Sequence, residues 1–159
     1  MEKFLAEGKA IKSAVVPQDL NGGVSGERID LRNIHRVGVL VSLPAGTAAA
    51  LSVEFKQHDA ITAGVTKDIS LENRYFHKVG AAVSYTEVKK EDDAYIAIDL
   101  VAEVGVDKAV VLFEILPEDL DVNGGFGFIS INLIGDIGRI GSASYICESK
   151  CLPAYKVEL

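Results

Sequence analysis

The chain contains no long hydrophobic segment. Its 159 residues include no run of about eighteen consecutive apolar residues, the length that a membrane-spanning helix needs. The first residues, Met1–Leu5, are not a basic region followed by an apolar core, so we expect no cleaved secretion signal. We therefore expect no membrane partner, and we expect the protein to be made and folded in a cytosol.

Clustered positive charge is also lacking. Sixteen Lys and Arg residues stand against 23 Asp and Glu residues, so the formal net charge is −7 and the pI is near 4.9. The adjacent lysines Lys89 and Lys90 are followed at once by three acidic residues. Because nucleic-acid binding relies on clustered Lys and Arg that contact phosphates, we expect no nucleic-acid partner.

The chain has two cysteines and no tryptophan. Cys147 and Cys151 are separated by three residues, whereas zinc knuckles and thioredoxin-like motifs have two, and there is no second pair. We interpret both as free thiols, since a disulfide between them would require an oxidising compartment. The lack of tryptophan and the aromatic content of 7% disfavour a sugar site, because sugars usually stack on aromatic rings.

What the sequence does contain is repeated alternation of apolar and polar residues, the pattern of strands with one buried face. One run, Ala109–Leu116, is nearly all apolar and predicts a strand that is buried on both faces. The strand candidates are Ile11–Val16, Val37–Leu43, Leu51–Phe55, Tyr75–Val79, Val83–Val88, Ile96–Leu100, Ala109–Leu116, Ile129–Leu133 and Ser142–Glu148.

Turn residues separate these runs, among them Asn21–Gly23, Pro44–Gly46 and Asn123–Gly125. Short strands at intervals of roughly 10–15 residues predict an all-β fold, either an antiparallel β-sandwich or a barrel. No internal repeat or linker interrupts the pattern. We therefore predict a single domain that spans residues 1–159.

No group of residues carries a catalytic signature. His35, His58 and His77 are isolated in the sequence, there is no Gly-x-Ser-x-Gly motif, and no signature surrounds either cysteine. The glycine-rich segments Gly22–Gly26 and Gly135–Gly141 lack the features of a phosphate-binding loop. We predict no catalytic residue and no cofactor, and thus a protein that is not an enzyme.

One segment matches the opening of a calcium loop. Oxygen-bearing residues stand at positions one, three and five (Asp119, Asp121 and Asn123), and Gly124 stands at position six. Position twelve, where a bidentate Glu should stand, is Ser130, and the flanks predict strands instead of helices. Two interpretations stay open, a calcium site or a β-turn between adjacent strands, and the flanks favour the turn.

Three parts of the chain together resemble a family of viral proteins. They are Glu27–Leu31 followed by Arg36–Val41, then Leu51–Ile69, and then Glu118–Phe126. Their layout is similar to that of the capsid decoration, or cement, proteins of tailed bacteriophages. The resemblance spans most of Glu27 to Ile131.

The resemblance implies a jelly-roll-like β-sandwich without catalytic residues. It implies a homo-oligomer, a dimer or trimer, that binds major capsid protein subunits on the capsid surface of the virion after synthesis in the bacterial host cytoplasm. Two alternatives stay open. The chain could be a tail-tube, tail-terminator or neck component of a phage virion, or a ligand-binding β-sandwich module.

The chain termini lie outside the resemblance, and we expect extended arms at residues 1–16 and 148–159. Such arms add a strand to a partner sheet or place apolar anchors on a partner surface. The alternative is that their apolar residues belong to ordinary edge strands and core. The interface candidates are Phe4, Leu5, Leu152, Tyr155 and Val157.

Overall fold

The computed structural model describes residues 9–46, 51–69, 74–89, 97–99 and 107–149. Within these ranges the chain forms strands joined by turns, with two short 3-10 turns at Pro117–Asp119 and Val122–Gly124. The strands are β1 (Lys9–Asp19), β2 (Val24–Ser25), β3 (Ile29–Asp30), β4 (Ile34–Leu43), β5 (Leu51–His58), β6 (Thr66–Asp68), β7 (Arg74–Val79), β8 (Thr86–Lys89), β9 (Ala97–Asp99), β10 (Ala109–Ile115), β11 (Phe128–Gly135) and β12 (Ile140–Ser149).

The strands form two antiparallel sheets. Sheet A has the strand order β1-β12-β4-β10-β7-β8, and sheet B has the order β2-β11-β5-β6. In sheet B, β3 also pairs with β11 and β9 also pairs with β5. The predicted all-β antiparallel sandwich is confirmed, whereas the jelly-roll connectivity stays a prediction.

The core lies between the inner faces of the two sheets. Phe113 of β10 packs edge-on against Phe55 of β5, with ring centroids 5.2 Å apart, and lies 5.6 Å from the ring of Tyr75 in β7. Each large apolar side chain buried in this way stabilises the fold by about 1.5–3 kcal/mol. The alternating residues that the sequence assigned to inner faces are at most 1% exposed in β4 and β11: Val37, Val39, Val41, Leu43, Ile129, Ile131 and Leu133.

A tyrosine hydroxyl joins the two sheets through the core. β2 and β3 pair with β11 on either side of a short break, so the N–H of Ile131 has no strand partner there. Tyr145 of β12 reaches across from sheet A, accepts the N–H of Ile131 at 3.1 Å and donates to the carbonyl of Glu27 at 3.0 Å. Burial raises the pKa of Tyr145, so the phenol stays neutral.

The prediction that β10 is buried on both faces is wrong. Its residues alternate between buried and more exposed positions: Val111 and Phe113 are buried, whereas Val110 and Leu112 are only half-buried. The physical reason is that the sandwich has only two layers. One face of β10 meets the opposite sheet, and its other face has no sheet packed against it. Apolar residues therefore remain on the outer side of sheet A.

The connection between β10 and β11 also differs from the expected turn between adjacent strands. The two strands lie in different sheets, and residues 116–127 cross from one layer to the other through the two 3-10 turns. Gly125 ends the second turn with φ +86°, a left-handed conformation that glycine adopts at little cost.

The described part of the expected N-terminal arm belongs to the sandwich. Residues 9–16 belong to β1, which pairs with β12 at the edge of sheet A. This edge is irregular, with register shifts between Ser13 and Val15 and between Val15 and Gln18. At the other end, Glu148 and Ser149 complete β12. Residues 1–8 and 150–159, the remainder of both expected arms, lie outside the described residues.

Candidate functional site

A buried polar cluster surrounds His58, the last residue of β5. Its Nδ1 lies 2.8 Å from Thr66 Oγ1 of β6, and its Nε2 lies 2.8 Å from Ser130 Oγ of β11. His58 is only 4% exposed. Burial lowers the pKa of His58 and the nearby Arg28 guanidinium lowers it further, whereas Asp59 opposes the shift. The imidazole is therefore neutral at neutral pH.

This cluster links strands and lacks the third group of a hydrolytic triad. In a triad, a carboxylate orients the histidine through the nitrogen that faces away from the nucleophile. Here that nitrogen, Nδ1, faces the hydroxyl of Thr66, and Ser130 is itself buried. Since His58 contacts a side chain on each neighbouring strand, its imidazole holds β6, β5 and β11 together. Sequence reasoning missed the cluster because Ser130 is 72 residues from His58.

The loop at residues 59–65, directly after His58, is held by side chains at its base. Asp59 Oδ1 accepts the N–H of Val65 at 2.8 Å, and the Asp59 N–H donates to the carbonyl of Val65 at 3.3 Å. Arg28 Nη1 donates to the carbonyls of Ala60 at 2.8 Å and Ala63 at 2.5 Å. Four hydrogen bonds therefore fix the shape of a seven-residue loop.

The same loop contains strained backbone and exposed apolar side chains. Ala63 has φ +59°, the left-handed region that non-glycine residues rarely adopt, and Gly64 follows with φ +76°. Ile61 is 50% exposed and Val65 is 55% exposed. Strain of this kind costs about 1–3 kcal/mol and persists only where surrounding contacts enforce it. The loop thus presents two aliphatic side chains in one enforced conformation.

The carboxylates of the calcium-loop candidate serve as turn caps. Asp119 Oδ2 accepts the N–H of Leu116 at 2.7 Å. Asp121 Oδ1 accepts the N–H of Gly124 at 2.9 Å, and its Oδ2 lies 2.7 Å from Lys67 Nζ. The hydrogen bond from Lys67 lowers the pKa of Asp121, as does that from Gly124. A lysine ammonium therefore stands beside the carboxylate that would bind the cation.

Asn123, the third candidate ligand, is exposed at the tip of the second 3-10 turn. Within the described ranges, no group of three or more His, Cys, Asp or Glu side chains is arranged to hold a metal ion. The segment Asp119–Gly124 combines two capped turns with one ion pair to Lys67.

The other candidate residues are dispersed. His35 is exposed, His77 is half-buried on β7, and Cys147 is a buried free thiol whose pKa is raised by burial. No described contact brings two of them together. Cys151 and the five interface candidates lie outside the described residues: Phe4, Leu5, Leu152, Tyr155 and Val157.

The outer face of sheet A carries several partly exposed apolar side chains. Opposite residues in antiparallel strands share a face, so the strand register defines rows across it. The middle rows are rich in aliphatic, aromatic and serine side chains. They are Ile11–Ile146–Gly38–Glu114, then Ser13–Ser144–Leu40–Leu112–Phe76, then Ser142–Ser42–Val110–Lys78.

The outer face of sheet B is different. Its strands β5 and β11 present Ser52, Glu54, Lys56, Phe128, Asn132 and Ile134 there, and Lys56 pairs with Glu54 at 3.1 Å and also with Asp68. A charged outer face is what water contact requires in a two-layer sandwich. The outer face of sheet B therefore combines an ion-pair network with two half-buried apolar residues, Phe128 and Ile134.

A depression around Gly38 lies in the outer face of sheet A. Its volume is about 330 Å³. A Cβ built at Gly38 would lie 3.6 Å from Leu112 Cδ1 and 3.7 Å from Ile146 Cβ, so these two side chains flank the floor of the depression. Charged groups form one rim, where Arg36 pairs with Glu148 and, at 3.3 Å, with Glu114. The floor is apolar and the rim is charged.

A second, wider groove lies where β10 begins. Its volume is about 610 Å³. Two lysines, Lys78 and Lys108, line it together with Tyr85, and the described residues of its wall include no Asp or Glu. The remaining wall is largely apolar and comes from the ends of β4 and β7 and the start of β10.

No protein-family model matches the chain, and no curated protein or solved structure is significantly similar to it. In the described ranges, no helix has the length and hydrophobicity to cross a bilayer.

Proposed function

We propose that the protein is a structural subunit that acts by binding other protein surfaces, and that it is a capsid decoration, or cement, protein of a tailed bacteriophage. In this role it binds major capsid protein subunits on the virion surface and stabilises the shell. The resemblance of Glu27–Ile131 to that family supports the choice of the capsid as partner. The proposed role requires rigid contact surfaces and no catalytic group.

The 59–65 loop is the observation that carries the proposal. Association costs free energy for each mobile segment that must become ordered, and a loop already fixed in one conformation avoids that cost. Ile61 and Val65 are aliphatic side chains of the size that fill pockets at the centre of interfaces. Hydrogen bonds to the side chains of Arg28 and Asp59 fix the backbone that carries these two residues. We assign this loop to the contact with the capsid protein.

Binding to assembled shells tests the proposal directly. We expect the protein to co-sediment with capsids assembled from the major capsid protein of the same genome, and to raise the temperature at which those capsids dissociate, because a ligand that binds only the assembled state stabilises it. Ile61→Asp should reduce binding at least about tenfold, as expected for an anchor residue. Ile137→Asp is the matched control, since Ile137 is 77% exposed in a different loop.

A second variant tests the fixed conformation of the loop. Arg28→Gln removes the guanidinium that donates to the Ala60 and Ala63 carbonyls and leaves Ile61 and Val65 unchanged. Capsid affinity should fall, and amide hydrogens in the loop should exchange faster. The proposal would be contradicted if the protein did not bind the capsids. It would also be contradicted if Ile61→Asp and Ile137→Asp lowered capsid affinity equally. Six-fold rings of the purified protein in negative stain would favour the tail or neck alternative.

The groove at the start of β10 favours ligand binding as a second candidate function. Lys78 and Lys108 on its wall suit an anionic group, and Tyr85 offers a ring for an apolar portion of the ligand. A glycan array that includes acidic sugars tests this candidate. Specific binding that is lost in Tyr85→Ala would support it, and an array without signal would contradict it for carbohydrates.

A further inference from the structure

We propose that Asn21 is a site of spontaneous deamidation, at which the folded chain converts a neutral side-chain amide into a carboxylate over time. The chain has two Asn–Gly steps, Asn21–Gly22 and Asn123–Gly124. The structure leaves the first step able to react and protects the second. The inference is independent of the proposed capsid role, because it concerns the backbone of the folded chain alone.

The reaction begins at a backbone nitrogen. The N–H of Gly22 loses its proton to solvent base, its nitrogen forms a bond to Cγ of Asn21, and the bond from Cγ to Nδ2 breaks, so that ammonia leaves. Water then opens the resulting cyclic succinimide by breaking a C–N bond at one of its two carbonyls. The net change replaces ammonia by water and yields an aspartyl or an isoaspartyl residue. Glycine favours the attack because it has no side chain beside the reacting nitrogen.

Asn21 lies in an exposed turn between β1 and β2. The Gly23 N–H closes the turn by donating to the Leu20 carbonyl at 3.0 Å, and Gly22 has φ +76° at the third position, as a type II turn requires. A Cβ built at Gly22 would meet no atom within 4 Å. Solvent base and water therefore have access to the Asn21–Gly22 step.

The peptide between Asn21 and Gly22 must rotate before its nitrogen can reach the side chain. An isolated bridge joins Asn21 to Gly135, but among the described residues no acceptor holds the Gly22 N–H in a hydrogen bond of ordinary geometry. Glycine adopts either sign of φ at similar cost, so the rotation meets little resistance at Gly22. The hydrogen bond from Gly23 to Leu20 does not involve the rotating peptide and can persist.

The same step at Asn123 is held in place. The Gly124 N–H donates to Asp121 Oδ1 at 2.9 Å and to the Asp121 carbonyl at 3.0 Å. Rotation of the Asn123–Gly124 peptide would break both hydrogen bonds, and the negative charge of the carboxylate opposes loss of the Gly124 proton. Asn123 is as open to solvent as Asn21, since both residues are exposed. The difference between the two sites is therefore the hydrogen bonding of the glycine N–H.

Peptide mapping by mass spectrometry, after the folded full chain has been incubated at neutral pH, tests the proposal. Trypsin isolates Asn21 in the fragment Ser13–Arg28 and Asn123 in the fragment Ala109–Arg139. We expect Asn21 to deamidate at least about tenfold faster than Asn123, because a hydrogen bond to a charged group must break at Asn123. In heavy-oxygen water the product at Asn21 should contain one oxygen atom from the solvent.

Incubation in urea is the first control. The two rates should become similar there, because both sites are then the same dipeptide in an unfolded chain. Asp121→Ala is the second control: it removes the carboxylate that holds the Gly124 N–H, and it should raise the rate at Asn123 several-fold and leave the rate at Asn21 unchanged. A melting curve checks that this variant is folded, and the comparison of folded chain with urea decides the question if it is not.

Equal rates at the two sites in the folded chain would overturn the inference, as would faster deamidation at Asn123. An Asn21 amide that stays intact in the folded chain but reacts in urea would overturn it as well, because the turn would then hold the Gly22 peptide in place. Asn21→Gln supplies an independent readout. Its longer side chain forms the cyclic intermediate slowly, so the acidic species that accumulates in ion-exchange profiles of the natural protein should be lost.

Discussion

Replacing Tyr145 by phenylalanine removes a single oxygen atom from the interior of the sandwich and preserves the shape of the ring. That oxygen accepts the N–H of Ile131 at 3.1 Å and donates to the carbonyl of Glu27 at 3.0 Å. Tyr145 is 0% exposed, so water cannot replace the lost partner without a rearrangement of the core. The Ile131 N–H lies at the break between β2 and β3, where no strand is present to accept it.

The free-energy cost of the substitution depends on which hydrogen-bonding groups are left without a partner. A buried N–H that loses its acceptor costs about 1–3 kcal/mol, whereas the Glu27 carbonyl lies in an exposed residue and water can solvate it. We therefore expect Tyr145→Phe to lower the free energy of unfolding by about 2 kcal/mol. For a chain of this length that loss corresponds to a fall in melting temperature of roughly 4–8 °C.

Denaturant titration followed by fluorescence or circular dichroism measures the change, and calorimetry checks it. Tyr85→Phe is the matched control, because it removes the same atom from a side chain that is 49% exposed and should change stability by less than about 0.5 kcal/mol. If Tyr145→Phe is as stable as the natural protein, or if both variants lose the same free energy of unfolding, the hydroxyl does not bridge the two sheets and the reasoning is wrong.

Three further predictions concern the loop, its histidine and the core. Because burial lowers the pKa of His58 below its unfolded value of 6.5, the folded state binds fewer protons. Stability is fully present above about pH 6.5 and falls as the pH decreases toward the folded pKa, by at most about 1.4 kcal/mol per pH unit. Urea titrations between pH 7.5 and 5 should show this slope, and a His58→Gln variant with the same slope would contradict it. Gly64→Ala should cost at least about 1 kcal/mol more than Gly22→Ala in the same titration, since both glycines have φ +76° but only at Gly64 would the new Cβ overlap Asp59 Oδ1. Phe113→Ala should cost about 3–5 kcal/mol by thermal unfolding, and a loss below about 1 kcal/mol would place that ring outside the core.

The local alternation of apolar and polar residues was sufficient to predict the longer strands and the residues on their inner faces. In β4, the alternation of Val37, Val39 and Val41 with other residues predicted which side chains are buried, and all three are 0% exposed. The reason is geometric: successive side chains of a strand point to opposite faces, so a period of two in the sequence becomes one apolar side in space. The antiparallel sandwich follows from nine such runs separated by turn residues.

Local pattern was not sufficient for the apolar run at β10 or for the turn that follows it. The sequence of a continuous apolar strand is the same whether its second face is covered by another layer or is partly exposed. The pattern therefore predicts a buried position for Val110 and Leu112, which are only half-buried. The carboxylates of Asp119 and Asp121 likewise match a calcium loop in sequence, yet backbone N–H groups and Lys67 use their oxygens. The register of β10 against β4 and the position of β6 decide both outcomes.

The amino-acid sequence by itself determined that this chain forms strands, where the longer strands begin and end to within a few residues, and which side of most of them is buried, whereas the short strands β2, β3 and β6 were not predicted. Those properties depend on backbone geometry and on neighbours a few positions away. Only the tertiary structure decided that β10 and β11 lie in different sheets, that His58 meets Thr66 and Ser130, and that Ile11, Ile146 and Gly38 form one row. Those contacts join residues far apart in the chain, and the free energy that selects them comes from packing two whole sheets against each other, which no local pattern records.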